Sequence, residues 1–190
     1  MLSAIVATRN SERSLVPTLS ALVPASASGL LAEVIVADAG SDDATAEVAD
    51  IAGCRFMAST EPLGARLRAA AEAARSPWLV FLRAGAVPEP GWVNAADHFI
   101  RTTGLSASCA AVFRPGASDY LRPGLAGFAK LLRVAIGGMS NPEQGLLIAR
   151  RFYDAVGGHS AEDNAEATLL RRLGRRRLAI LPARLTLPNT

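Results

Sequence analysis

The residues best placed to do chemistry stand where short apolar runs end. Leu2 to Ala7 stops at Thr8-Arg9-Asn10, Glu33 to Ala37 stops at Asp38-Ala39-Gly40-Ser41, and Trp78 to Leu82 stops at Arg83-Ala84-Gly85. A buried strand that gives way abruptly to polar residues delivers them to a site, because ligands of open α/β sheets bind outside the carboxyl ends of the strands. The chemistry on offer is ligand binding by hydrogen-bond donors and acceptors, with fixed positive charges at Arg9 and Arg83. Downstream an acidic pair, Glu162-Asp163, precedes the basic cluster Arg171, Arg172, Arg175, Arg176 and Arg177. Two such acids can simply stabilise a helix N-terminus, by about 0.3–1 kcal/mol. Cys54 and Cys109 lie far apart in apolar segments with no C-x-x-C or His/Cys spacing for zinc. His98 and His159 also lack ligand spacing, so a structural role is expected for both.

The elements that must position these residues alternate. After the first strand, Leu15, Val16, Leu19, Leu22 and Val23 recur at helical spacing. After the second, Ser41 is expected to cap a helix whose face is Ala44, Val48, Ile51 and Ala52, with Asp42 and Asp43 near its positive end. Cys54 to Met57 reads as a third strand, Leu63 to Arg75 as an Ala-rich helix, and Trp78 to Leu82 as a fourth strand. A helix follows in which Pro90 suits the first turn and which runs toward Arg101. Strands alternating with helices argue for an α/β fold with a parallel, doubly wound sheet.

Beyond residue 104 the pattern loosens. Ser106 to Phe113 is expected to be a strand and Tyr120 to Ile136 a helix, with Leu121, Leu125, Phe128 and Leu132 on one stripe and Arg122, Lys130 and Arg133 off it. Such a basic amphipathic helix can lie on an anionic membrane surface or pack its stripe on the sheet. Gln144 to Ala149 reads as a strand, Arg151 to Val156 as a helical turn, and Ala161 to Gly174 as a helix with Glu162 and Asp163 in its first turn. Leu178 to Leu181 would be a last strand, ended by Pro182.

Composition bounds the rest. With 190 residues, half of them apolar, the chain is one domain with a substantial core and is not disordered. Residues 1–109 carry 8 basic and 11 acidic side chains and residues 110–190 carry 12 and 6, so only the second part is expected to meet phosphates or an anionic surface. Nucleic acid is the weaker partner because no aromatic residues interleave with the charge. No apolar run is long enough to span a membrane, and Met1-Leu2-Ser3 enters a strand without the features of a signal peptide. Free thiols and the missing leader lead to an expected cytoplasmic location, with peripheral contact at the inner face of the membrane if residues 120–136 engage it.

The ordered landmarks resemble the family 2 glycosyltransferases of the GT-A fold, in particular small bacterial members with a compact acceptor half. The likeness runs from about Ala4 to about Leu187 and rests on order and spacing. A-T-R-N-S-E, Ala7 to Glu12, is similar to the loop that meets the nucleotide base and ribose. V-I-V-A-D-A-G-S-D-D-A-T, Val34 to Thr45, is similar to the segment V-D-D-G-S-x-D-x-T, with Asp38 on its first aspartate and Ala39 on its second. N-P-E-Q-G-L-L-I-A-R-R-F-Y-D-A-V-G-G, Asn141 to Gly158, is similar to the floor of the acceptor side, and E-D, Glu162-Asp163, to the pair whose aspartate is the general base. The acid that usually follows that pair is displaced, with Ala165 in its place and Glu166 one residue on.

The resemblance implies a single GT-A domain over 1–190, with helices on both faces of a mostly parallel sheet. About residues 1–85 would be its nucleotide-binding half and about 86–190 its acceptor half. It implies a nucleotide-sugar donor, UDP-linked, held by Thr8, Arg9, Glu12, Asp38, Gly40 and Gln144, and a hydroxyl acceptor that can be lipid-linked. Transfer would proceed with inversion, Asp163 as base and Glu162 as supporting acid. Family members carry an Asp-x-Asp element at the fourth strand end, whose last carboxylate holds Mg²⁺ or Mn²⁺ bridging the donor phosphates. Here Arg83 and Gly85 stand in that place, and neither side chain binds such a cation. Either Arg83 supplies the positive charge itself, since a guanidinium grips phosphate bidentately, or the protein is a catalytically inactive member that binds a nucleotide-sugar or a partner.

Overall fold

In the computed structural model, which describes residues 1–104, 108–116 and 144–187, the strand at the centre of the first half is β1, Leu2–Thr8, buried along its whole length. Unbroken burial of this kind marks a parallel strand covered on both faces. It pairs in parallel with β2 (Leu31–Asp38) on one side and β4 (Trp78–Arg83) on the other, and β3 (Arg55–Ala58) pairs in parallel with β2. Strands β1, β2 and β4 therefore bring their C-terminal residues Thr8, Asp38 and Arg83 to one rim of the sheet.

Beyond β4 the sheet is mixed. Among the described residues its order is β3-β2-β1-β4-β7-β6-β8-β5, where β5 is Val87–Pro88, β6 Ala110–Pro115, β7 Leu146–Ala149 and β8 Leu178–Thr186. Strand β7 runs antiparallel to both β4 and β6, so β6 and its parallel neighbour β8 point the same way as β4. The sequence reading ends β8 at Pro182, yet the strand continues to Thr186. The β6/β8 register shifts between Val112 and Arg114, and this irregularity spans Pro182, so the residue without an N–H is not asked to complete a regular ladder.

Helices α1 (Glu12–Ala27), α2 (Thr45–Ile51) and α4 (Trp92–Thr103) pack together on one side. The Trp92 indole N–H donates to the Ala21 carbonyl at 2.9 Å, tying α4 to α1. Trp78 meets Phe99 edge-on at 5.9 Å, and Trp92 packs near Phe113. On α1 the buried residues are Leu15, Thr18, Leu22 and Ala25, whereas Val16 and Val23 from the expected stripe are 49% and 61% exposed. The helix is turned so that Thr18 faces inward, where its hydroxyl accepts the Gly85 amide.

Helix α3 (Leu63–Ala73) and the later helices α5 (Arg150–Ala155) and α6 (Ala165–Leu173) lie across the other face. Arg150 donates to the carbonyls of Ala71 (2.6 Å), Ala74 and Ser76 (3.2 Å), supplying partners for the carbonyls that the end of α3 leaves over. Phe81 stacks on Tyr153 at 5.3 Å and meets the His159 ring at 4.7 Å. His159 is buried and bonded to the Tyr153 hydroxyl at 2.9 Å, the structural role expected of it. Burial pushes its pKa down to about 3 and that of Tyr153 up to about 12. Both are therefore neutral around pH 7.

The start of the strand expected at Ser106 and the whole helix expected over Tyr120 to Ile136 lie outside the described residues. So do Asn141 to Glu143. Among the described residues no helix is long and apolar enough to cross a membrane.

Candidate functional site

Thr8 and Asp38 are register partners at the ends of β1 and β2. Asp38 is 1% exposed, and its carboxylate is fully engaged. Oδ1 accepts from the hydroxyls of Thr8 (2.6 Å) and Ser41 (2.5 Å), and Oδ2 from the amides of Gly40 (2.8 Å) and Ser41 (2.7 Å). Burial alone would raise its pKa, but these bonds outweigh it and hold the carboxyl below the usual range. Gly40 takes φ +77°, the left-handed turn that folds the chain back onto this carboxylate. Ser41 is therefore not a helix cap, as the sequence reading expects. Helix α2 begins only at Thr45, without a side-chain cap, because Ser41 is committed to Asp38.

The loops after β1 and β2 are bonded to each other along their length. The Asn10 amide donates to Ser41 Oγ (2.8 Å), the Ser11 amide to Thr45 Oγ1 (2.8 Å) and the Glu12 amide to Asp43 Oδ2 (3.0 Å), while Glu12 Oε2 accepts from the Ala44 amide (3.3 Å). Thr8, Glu12 and Asp38 thus spend polar atoms on building the rim. Arg9 lies exposed on it, and its guanidinium makes no hydrogen bond or ion pair among the described residues.

Arg66, in the first turn of α3, is a site residue that the sequence reading misses. Its Nη1 donates to the Ala37 carbonyl at 2.6 Å and its Nε to the Glu61 carbonyl at 3.1 Å. Burial pushes its pKa down, the charges of Asp38 and Asp163 push it up and Arg9 pushes it down again, with a net lowering. It stays protonated at neutral pH regardless. A signal was present: a cation in the first turn of a helix opposes the helix dipole, which points to a partner elsewhere in the fold.

Glu162 and Asp163 do not lie in the first turn of their own helix, as expected, because α6 starts at Ala165. They meet the start of α3 instead. Asp163 Oδ1 accepts from the Leu63 amide (3.1 Å), and the Glu162 carbonyl accepts from the Gly64 amide (3.0 Å). The approach is close enough that a Cβ on Gly64 would lie 1.8 Å from the Ser160 carbonyl oxygen and 2.7 Å from that of Glu162. Both acidic side chains are exposed.

Arg83, the last residue of β4, is 40% exposed and paired with Glu166, 12% exposed, in the first turn of α6. Its Nε donates to Glu166 Oε2 at 3.0 Å and its Nη2 to the same oxygen. The displaced acid of the motif thus answers the arginine at the strand end. Gly85 takes φ +89°, with its amide donating to Thr18 Oγ1 at 2.9 Å. A divalent cation is not accommodated by these residues: Gly85 offers no side-chain oxygen and Arg83 brings like charge. Among the described residues no three His, Cys, Asp or Glu side chains cluster to hold one.

Gln144 lies just before β7, whose Leu146 pairs with Phe81, so it belongs to the same rim beside Arg83. The cluster Arg175 to Arg177 does not. It precedes Leu178, which pairs with Ala110 at the start of β6, at the opposite end of the sheet. A groove of about 760 Å³ between α1, α2 and β2 is lined mainly by apolar side chains such as Val16, Val23 and Ile51 and lacks converging polar groups.

The sequence matches the model of the family described as glycosyl transferase family 2 over residues 3–157. No curated protein matches it. Among solved structures, it is similar to glucosyl-3-phosphoglycerate synthase from Mycobacterium tuberculosis in complex with Mn²⁺, uridine diphosphate and glucosyl-3-phosphoglycerate, with a TM-score of 0.72 at 20% identity over 100% of this chain and 72% of that one. The same synthase with phosphoglyceric acid gives 0.73 at 19%, covering 100% and 72%. Its complex with Mn²⁺ and UDP-glucose gives 0.72 at 19%, again over 100% and 72%. At these identities the likeness is one of fold, the GT-A fold.

Proposed function

Since the chain belongs to glycosyl transferase family 2, we propose that it moves a sugar from a UDP-linked donor to a hydroxyl acceptor with inversion, using Asp163 as general base. Residues 1–85 form the donor half of a single domain and residues 86–190 its acceptor half. One observation carries the reading: the first turn of α3 meets both places, the Leu63 amide donating to Asp163 Oδ1 and Arg66 to the Ala37 carbonyl beside Asp38, so the acid stands against the strand-end crevice.

In this reading the loops carrying Thr8, Arg9, Glu12, Asp38 and Gly40 frame the nucleoside, and Gln144 flanks the sugar. Asp163 takes the acceptor hydroxyl proton as its oxygen forms a bond to the anomeric carbon. The bond from that carbon to the diphosphate breaks on the opposite side, and the electron pair leaves with the diphosphate. Removing the proton in step with attack contributes about 10²–10⁴ in rate. Arg83 meets the charge developing on the diphosphate, with Glu166 fixing its orientation and Glu162 supporting Asp163. The related synthase was crystallised with Mn²⁺, but the residues here do not fit that ion, and no step depends on it.

Gly85 and Arg83 at the cation position also favour a second reading, a family member that binds a nucleotide-sugar or a partner without turnover. UDP-glucose binding and hydrolysis, measured with and without EDTA, separate the two. Binding indifferent to EDTA, abolished by Arg83→Ala, with turnover abolished by Asp163→Asn, supports the transferase. Binding with no transfer from any UDP-sugar to any acceptor in a panel supports the second reading.

A further inference from the structure

Three arginines leave the same face of the sheet along its C-terminal rim. Phe81 pairs with Leu146, Leu146 with Val112 and Val112 with Ile180, so these four side chains share a face. Two residues on, Arg83 and Arg114 project from that face, and Arg184 is the register partner of Arg114 across β6 and β8. The opposite face of this region is occupied: Leu181, Ala183 and Leu185 are buried beneath α4.

Arg114 and Arg184 are anomalous as structural residues. Like charges directly opposite on neighbouring strands repel. Both are exposed, and neither forms a hydrogen bond or ion pair among the described residues. Glu89, whose amide donates to the Arg184 carbonyl at 2.9 Å, pairs with neither. Beside them Ile180 is 65% exposed and Pro182 is also exposed, so no described residue covers this part of the face. With strands about 4.8 Å apart and β7 between them, the Arg114 backbone lies about 10 Å from that of Arg83.

We propose that Arg114 and Arg184 form a phosphate subsite that holds the acceptor by a phosphate group adjoining its reactive hydroxyl. This rests on the transferase reading and names its acceptor class, a phosphate ester. Two guanidiniums on adjacent strands converge on one phosphate, and the ligand's charge relieves their repulsion. Arg83 is left to the donor. The phosphate belongs either to a small soluble ester or to a lipid headgroup.

The test titrates glycerol 3-phosphate and glycerol into the full chain with and without UDP, and measures cosedimentation with phosphatidylglycerol vesicles. Wild type is expected to bind the phosphate ester or the vesicles but not glycerol. The double variant Arg114→Ala, Arg184→Ala should weaken that binding by about 10- to 100-fold, the loss of one or two charge-assisted bonds. Replacement of both by Lys should restore part of it, while Arg13→Ala, at an exposed arginine of α1, leaves it unchanged. Both side chains are exposed, and unchanged thermal midpoints verify that the variants fold. Binding of the soluble ester identifies a small acceptor; vesicle binding without it identifies a headgroup. Binding unaffected by the double variant, or lost only with Arg83→Ala, overturns the inference, as does failure to bind either probe. UDP affinity in the same samples tests the donor reading separately, because its loss leaves the phosphate result standing.

Discussion

Replacing Asp38 by Asn asks whether this carboxylate builds the rim or faces the ligand. The native group accepts four hydrogen bonds from Thr8, Gly40 and Ser41 while almost wholly buried. An Asn can keep its oxygen on the two backbone amides and turn its NH₂ toward the two hydroxyls, which rotate to accept. All four bonds then persist as neutral ones. A charged hydrogen bond contributes about 1.5–3 kcal/mol against about 1 for a neutral one, so over four bonds the expected loss is about 2–8 kcal/mol. Because the folded pKa lies below the ordinary 3.8, the ionised carboxylate stabilises the fold fully above that value. The contribution disappears as pH falls through the folded pKa. Urea unfolding should therefore separate Asp38→Asn from wild type at pH 7, and the gap should close as the pH drops below about 4. Equal stability at pH 7, or a gap that persists unchanged at pH 2, would refute the assignment of the four bonds. Loss of UDP binding in a variant of undiminished stability would mean that Asp38 contacts the nucleotide directly.

Gly64→Ala should shift the 160–163 segment away from α3, because its Cβ would lie 1.8 Å from the Ser160 carbonyl oxygen. Overpacking of this kind costs about 1–3 kcal/mol, read as a lower urea midpoint, with a fall in transfer rate as Asp163 is displaced. Arg150→Met keeps the alkyl stem but strips partners from the carbonyls of Ala71, Ala74 and Ser76. About 2–4 kcal/mol of stability should be lost, with UDP affinity intact. Glu166→Gln should change stability by less than about 1 kcal/mol, since Arg83 is partly exposed, while weakening UDP-glucose binding severalfold as Arg83 loses its orientation. Calorimetric titration of the variant against wild type checks this.

The strand ends were legible because burial and termination are local signals: continuous apolar runs stop at Thr8, Asp38 and Arg83, and the sheet brings all three to one rim. Boundaries set by side chains that bond elsewhere were not. Ser41 has the composition of a cap but bonds Asp38, and Glu162 and Asp163 suit their own helix but serve α3. Periodicity located the apolar stripe of α1 without fixing its rotation. Thr18, polar and buried, takes an inward position because a backbone amide in a later loop needs an acceptor. Arg66, Arg114 and Arg184 acquire meaning only from register and tertiary neighbours, which spacing along one segment cannot supply.

Helix α3 is held at its first turn by Glu162 and Asp163 and at its last by Arg150, all from beyond residue 149, while its Arg66 grips the end of β2. The two parts of the chain are thereby braced through a common strut. A hinge that swings one part away from the other would have to break bonds at both ends of α3 together, so ligand entry falls to the loops of the rim rather than to opening of the body. By the same reasoning the amides of α3 should exchange with solvent only when the whole domain unfolds.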